Sequence, residues 1–75
     1  MPRLPVVSGR AAVNAFERAG WEQVRVGSSR HLILKKAGEP ATLSIPDHRE
    51  LDRGLLRALI RDARLSVQEF LDLLT

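Results

Sequence analysis

Cysteine is absent from this 75-residue chain. That excludes a disulfide framework, a thiolate nucleophile and any zinc site built on thiolates, and it fits a reducing compartment. Long apolar runs are missing as well. The longest spans only a few residues, against the roughly 20 that a membrane-spanning helix needs, and MPRLPVVSGR lacks the apolar core of a secretory signal. The expectation is a soluble, cytoplasmic protein that makes no use of a membrane. Phosphate-binding glycine loops are absent, because Gly27-Ser28-Ser29 has neither the length nor the lysine of a P-loop. His31 and His48 show no metal-ligand spacing and the carboxylates form no cluster, so neither a metal nor another cofactor is expected. A chain this short has room for one domain, residues 1–75, so an active site must lie on the surface of a thin two-layer structure.

What is present is a lopsided charge. Residues 1–36 carry seven Lys or Arg against Glu17 and Glu22, whereas residues 37–75 carry five Arg against seven acids. The basic first half raises the odds of a polyanionic partner.

Pro2 and Pro5 keep the first residues extended, and Ser8 offers an N-cap for a helix over about 9–19 with Ala12, Val13, Phe16 and Ala19 on one face. Gly20 stops it. With Gly20 left-handed, Trp21 can pack back on Phe16, which makes the single tryptophan a core wedge. From Trp21 to Pro46 the period changes to two. Val24 and Val26 alternate with Gln23 and Arg25, HLILKK follows the polar turn Gly27–Arg30, and ATLSI forms a third strand. Leu32 and Leu34 then face the core, while His31, Ile33 and Lys35 face the other way.

Asp52 caps a second helix in which Leu56, Leu59, Ile60 and Ala63 form the apolar stripe and Arg53, Arg57 and Arg61 a basic one. Ser66 to Glu69 is a capping box, with Leu65 and Phe70 placed as a hydrophobic staple. A short closing helix is expected to bury Val67, Phe70, Leu71 and Leu74. The fold class is therefore α+β: two layers in the order α-β-β-β-α with a short C-terminal helix, as in double-stranded-RNA-binding domains.

His31 is the sharper candidate for chemistry. It begins a strand after a turn carrying the Ser28 and Ser29 hydroxyls and Arg30, with Lys35 further along its face. An imidazole beside cations suits RNA cleavage, where it exchanges protons with the 2′-hydroxyl or the 5′-oxygen while cations neutralise the phosphorane. By residue type and spacing alone, His31 reads more strongly as an ordinary exposed strand histidine. His48 reads as a loop residue bonded to backbone or to Asp47, and the arginine stripe divides evenly between a solvated face and a phosphate-contacting one.

The segment IPDHRELDRGLLRALIRDARLSVQEFLDLL resembles the C-terminal half of HicA toxins, and SGRAAVNAFERAGWEQVRV is similar to the family's first helix and strand. The resemblance covers about residues 5–74. It implies a double-stranded-RNA-binding-like fold, metal-independent cleavage of mRNA, a single catalytic histidine in a Gly-Ser-His turn, and neutralisation by a HicB-type antitoxin. Carried onto this chain, the catalytic histidine is His31. RNA contacts would come from Arg25, Ser28, Ser29, Arg30, Lys35, Arg53, Arg57 and Arg61.

Four positions depart from the family pattern. Ser29-Arg30 stands in place of Gly-Ser before His31, Leu55 in place of Thr, and Arg64 in place of Gly before Leu65. Two readings of activity follow: a working endoribonuclease, or a catalytically weak or silent RNA- and antitoxin-binding module on the same fold, which the altered turn favours.

Overall fold

The computed structural model describes residues 3–75, so the extended start expected from Pro2 lies outside the described residues. Helix α1 (Gly9–Arg18) is followed by strands β1 (Glu22–Val26), β2 (His31–Lys35) and β3 (Leu43–Pro46), then by helices α2 (Arg53–Asp62) and α3 (Val67–Leu74). The strands form one antiparallel sheet in the order β1-β2-β3, which agrees with the expected α+β order.

Helix ends follow the capping chemistry. The Ser8 side chain accepts from the Ala11 N–H, that of Asp52 from the Leu55 N–H, and Ser66 and Glu69 close a reciprocal capping box. Two helices stop on paired reverse bonds. Trp21 N–H reaches Phe16 O at 3.1 Å and Gly20 N–H reaches Glu17 O at 3.0 Å; Leu65 N–H reaches Ile60 O at 3.1 Å and Arg64 N–H reaches Arg61 O at 2.9 Å. Both stops turn on a left-handed residue, Gly20 in the first and Arg64, with φ 61°, in the second. Arg64 Nε also lies 3.2 Å from Glu39 Oε1, an ion contact between an exposed arginine and a half-buried glutamate.

The helices cover one face of the sheet. Leu32, Leu34, Leu43 and Ile45 meet Ala12, Phe16, Trp21, Leu56, Ile60 and Phe70 in one apolar cluster. Phe16 and Phe70 lie 5.1 Å apart between ring centres and tie α1 to α3. Leu73, rather than the expected Leu71, packs against this cluster together with Val67 and Leu74. The reason is that α3 lies against α1, whose Arg18 guanidinium bonds Leu73 O at 2.6 Å. Helix α1 gains a further cation at its C-terminus, where Lys36 Nζ donates to Ala19 O at 2.8 Å.

Strand β1 departs from simple alternation. All five of its residues are exposed, and the register slips between Gln23 and Arg25, so that Gln23 opposes Leu34 while Arg25 opposes Ile33. Val24 is the extra residue of this bulge. Val24 and Val26 are therefore outside the core, at 51% and 60% exposure.

Candidate functional site

The uncovered face of the sheet carries a row built by register. Arg25 on β1 and Ser44 on β3 both stand opposite Ile33 on β2, and His31 lies two residues earlier on the same face of β2. The bulge is what puts Arg25 there: unbroken alternation would turn it to the same side as Gln23, towards Leu34. Arg25, Gly27, Ser28, Ser29, His31, Ile33 and Ser44 line a shallow cleft of about 320 Å³. Ile33 is 9% exposed and stands apart from the main core, forming an apolar floor under a polar rim.

The turn entering β2 is tightly constrained. Gly27 N–H donates to His31 O at 2.6 Å, and Asp47 N–H donates to Arg30 O at 3.1 Å. A side chain on Gly27 would crowd Ile33 at 3.2 Å, so glycine allows the turn to close over the cleft floor. Between these anchors Ser29 (φ 57°) and Arg30 (φ 58°) are both left-handed, a conformation that costs non-glycine residues about 1–2 kcal/mol each.

This geometry fixes the chemistry of the imidazole. His31 Nδ1 lies 3.1 Å from Ser28 O. A carbonyl oxygen can only accept, so Nδ1 carries the proton and the neutral ring keeps Nε2 as its acceptor. The side chain is half-buried at the strand start, oriented by the backbone of its own turn.

The structure brings together four of the residues singled out from sequence, Arg25, Ser28, Ser29 and His31, and adds Gly27, Ile33 and Ser44. Ser44 went unread because its link to His31 runs through strand pairing, in which it stands opposite Ile33. Arg30 and Lys35 do not line the cleft; Lys35 stands opposite Glu22. The arginines of α2 divide. Arg53 and Arg57 line a second cleft with Arg3, whereas Arg61 lies 3.6 Å from the Asp62 carboxylate.

His48 is exposed and outside the His31 cleft, and its backbone carbonyl accepts from Gly9 N–H at 2.9 Å. Its neighbour Asp47 turns instead to Arg10, meeting the guanidinium at 3.2 and 3.3 Å. Among the described residues no three His, Cys, Asp or Glu side chains come together to hold a metal ion, and no helix is long and apolar enough to cross a membrane.

The chain is thus a small α+β protein with a histidine cleft on a bare sheet face. Residues 9–65 match the family model described as HicA toxin of bacterial toxin-antitoxin, and the chain belongs to the HicA toxin family. Membership places it on the toxin side of a toxin–antitoxin pairing. No curated protein and no solved structure matches the chain.

Proposed function

We propose that this chain is an endoribonuclease toxin that cuts mRNA in the cytoplasm without a metal or cofactor, uses His31 for proton transfer, and is silenced by a HicB-type antitoxin. The observation that carries the reading is the orientation of His31: its Nδ1 is held by Ser28 O at 3.1 Å, which leaves Nε2 free as a base in a cleft rimmed by Arg25 and three serines. In the reaction Nε2 takes the proton of a ribose 2′-hydroxyl, and the 2′-oxygen bonds to the adjacent phosphorus. The bond from phosphorus to the 5′-oxygen then breaks, and the imidazolium returns its proton to that oxygen. The products are a 2′,3′-cyclic phosphate and a 5′-hydroxyl.

Arg25 supplies the positive charge that a phosphorane requires, and Ser28, Ser29 and Ser44, which line the same cleft, supply hydroxyls for phosphate or ribose. Arg30 and Lys35, exposed nearby, add to the potential that draws RNA to this face. An antitoxin that presents acids to Arg25, Arg30 and Lys35 would deny RNA the cleft.

The test is cleavage of mRNA by wild type and His31→Ala in the presence of EDTA, alongside growth after induction with and without the partner antitoxin. Wild type should cleave in chelator, His48→Ala should retain activity, and His31→Ala should lose at least about 100-fold. Equal cleavage by His31→Ala and wild type would overturn the assignment. A second reading, a catalytically weak module that binds RNA and antitoxin, is favoured by the left-handed Ser29 and Arg30 where the family carries Gly-Ser. It takes over if wild type binds RNA and cleaves none.

A further inference from the structure

The second cleft is formed by parts of the chain far apart in sequence. Arg3, Leu4 and Pro5 meet Arg53 and Arg57 of α2 around a space of about 360 Å³. Its position is set by the core: Leu4 is 4% exposed, and the Leu51 N–H donates to Val7 O at 2.8 Å, which ties the N-terminal segment to the residues leading into α2.

Among the described residues the three guanidinium groups have no acidic partner within ion-pair distance. Among the described residues the ion pairs are Arg10 with Asp47, Arg61 with Asp62 and Arg64 with Glu39, and none involves Arg3, Arg53 or Arg57. The nearest carboxylate in sequence, Asp52, is committed as the α2 N-cap, its Oδ2 accepting from the Leu55 N–H at 3.0 Å. Like charges lining one concavity repel, so an unneutralised group of three there is an arrangement that an anion relieves. Arg53 and Arg57 stand one turn apart on α2, and Arg53 opens the helix, where its dipole adds positive potential. Leu4 and Pro5 give the cleft an apolar wall, which suits a ribose or base edge beside a phosphate better than a hydrated inorganic ion.

We propose that Arg3, Arg53 and Arg57 form a second RNA-backbone site, separate from the His31 cleft, that grips phosphodiesters without taking part in cleavage. The inference rests on RNA being the substrate. It narrows the basic stripe of α2 to two of its members and adds an arginine from the other end of the chain.

Binding of a fluorescent 2′-O-methyl single-stranded RNA, which cannot be cleaved, tests it by anisotropy across a salt series. With about 0.7 counterions released per single-strand phosphate, loss of three contacts should lower the slope of log K against log salt by about 2. That corresponds to about 100-fold weaker binding at 0.1 M salt. The variant is Arg3→Gln/Arg53→Gln/Arg57→Gln, checked by its melting curve. The matching triple Lys variant should keep most of the slope, and Arg61→Gln should leave it unchanged.

An unchanged slope in the Gln triple, or an equal loss from Arg61→Gln alone, would overturn the proposal. So would a triple variant that binds RNA normally but no longer captures the antitoxin, because the site would then be one for an acidic protein. A wild type that does not bind the probe at any salt would sink the RNA reading itself. Retained cleavage by His31→Ala would remove the catalytic assignment and leave the second site standing.

Discussion

Replacing Gly9 by alanine should be among the most damaging single-methyl changes in this chain. A Cβ at Gly9 would overlap the carbonyl oxygen of Pro46 and stand 3.1 Å from its carbonyl carbon and 3.2 Å from the Asp47 Cα. All of these are backbone atoms, so no rotamer change relieves the clash. The start of α1 has to move away from the end of β3. That movement pulls on the Gly9 N–H bond to His48 O at 2.9 Å and on the Arg10 fork to Asp47.

Overpacking of this kind costs about 1–3 kcal/mol and the hydrogen bond about 1 more, against a small helix-propensity gain, so the net loss is about 3 kcal/mol. A domain of this size has roughly 4–11 kcal/mol in total, and each kcal/mol is worth about 4–8 °C in Tm. Thermal melting by circular dichroism should therefore show Gly9→Ala unfolding about 12–24 °C below wild type. Gly54→Ala is the control. Its Cβ would meet only Asp52 Oδ2, at 3.0 Å, a side-chain atom that can give at some expense to the α2 cap, and added helix propensity offsets that expense, so its Tm should stay within about 5 °C of wild type. Melting of Gly9→Ala within about 3 °C of wild type would refute the packing argument.

Ser29→Gly relieves a left-handed serine and should raise stability by about 1 kcal/mol, read from urea midpoints at constant m-value. Combined with Arg30→Ser it restores the family turn, and a large gain in RNA cleavage would identify the natural chain as an attenuated enzyme. At the second helix stop, Arg64→Gly should be more stable than Arg64→Ala by about 1 kcal/mol, since both lose the Glu39 contact and only glycine loses the strain; equal midpoints would show that the stop carries no strain. Phe70→Ala removes the ring that joins α3 to Phe16 and should cost about 3–5 kcal/mol, whereas a loss under 1 kcal/mol would mean that α3 is not part of the cooperative core.

Much of the fold was legible because its signals are local. Ser8, Asp52 and Ser66 cap the helices as their side-chain chemistry predicts, and Gly20 and Arg64 sit at the left-handed stops where the apolar period ends. Alternation alone assigns Leu32 and Leu34 to the core, where both are buried. What stayed hidden depends on pairing between distant segments. Nothing local to Glu22–Val26 announces that Val24 is an extra residue, yet that slip decides which way Arg25 faces. Gly9 reads as an ordinary first residue of a helix until Pro46 is packed against it, and Arg3 shares no sequence pattern with Arg53 and Arg57.

The same distinction explains where the candidate site is well built and where it is under stress. Its floor and walls come from β1, β2 and β3: Ile33 and Ser44 are held by register over the buried residues of β2 and β3, while Arg25 stands opposite Ile33 on the exposed, bulged edge strand β1. His31 depends instead on the turn before it, because Ser28 O orients the ring and the left-handed Ser29 and Arg30 lie between them. Each left-handed residue opposes the conformation that presents the Ser28 carbonyl to Nδ1, so relaxation of the turn would release the imidazole before it disturbed the sheet. A change at residue 29 should accordingly shift cleavage more than the roughly 1 kcal/mol it shifts stability.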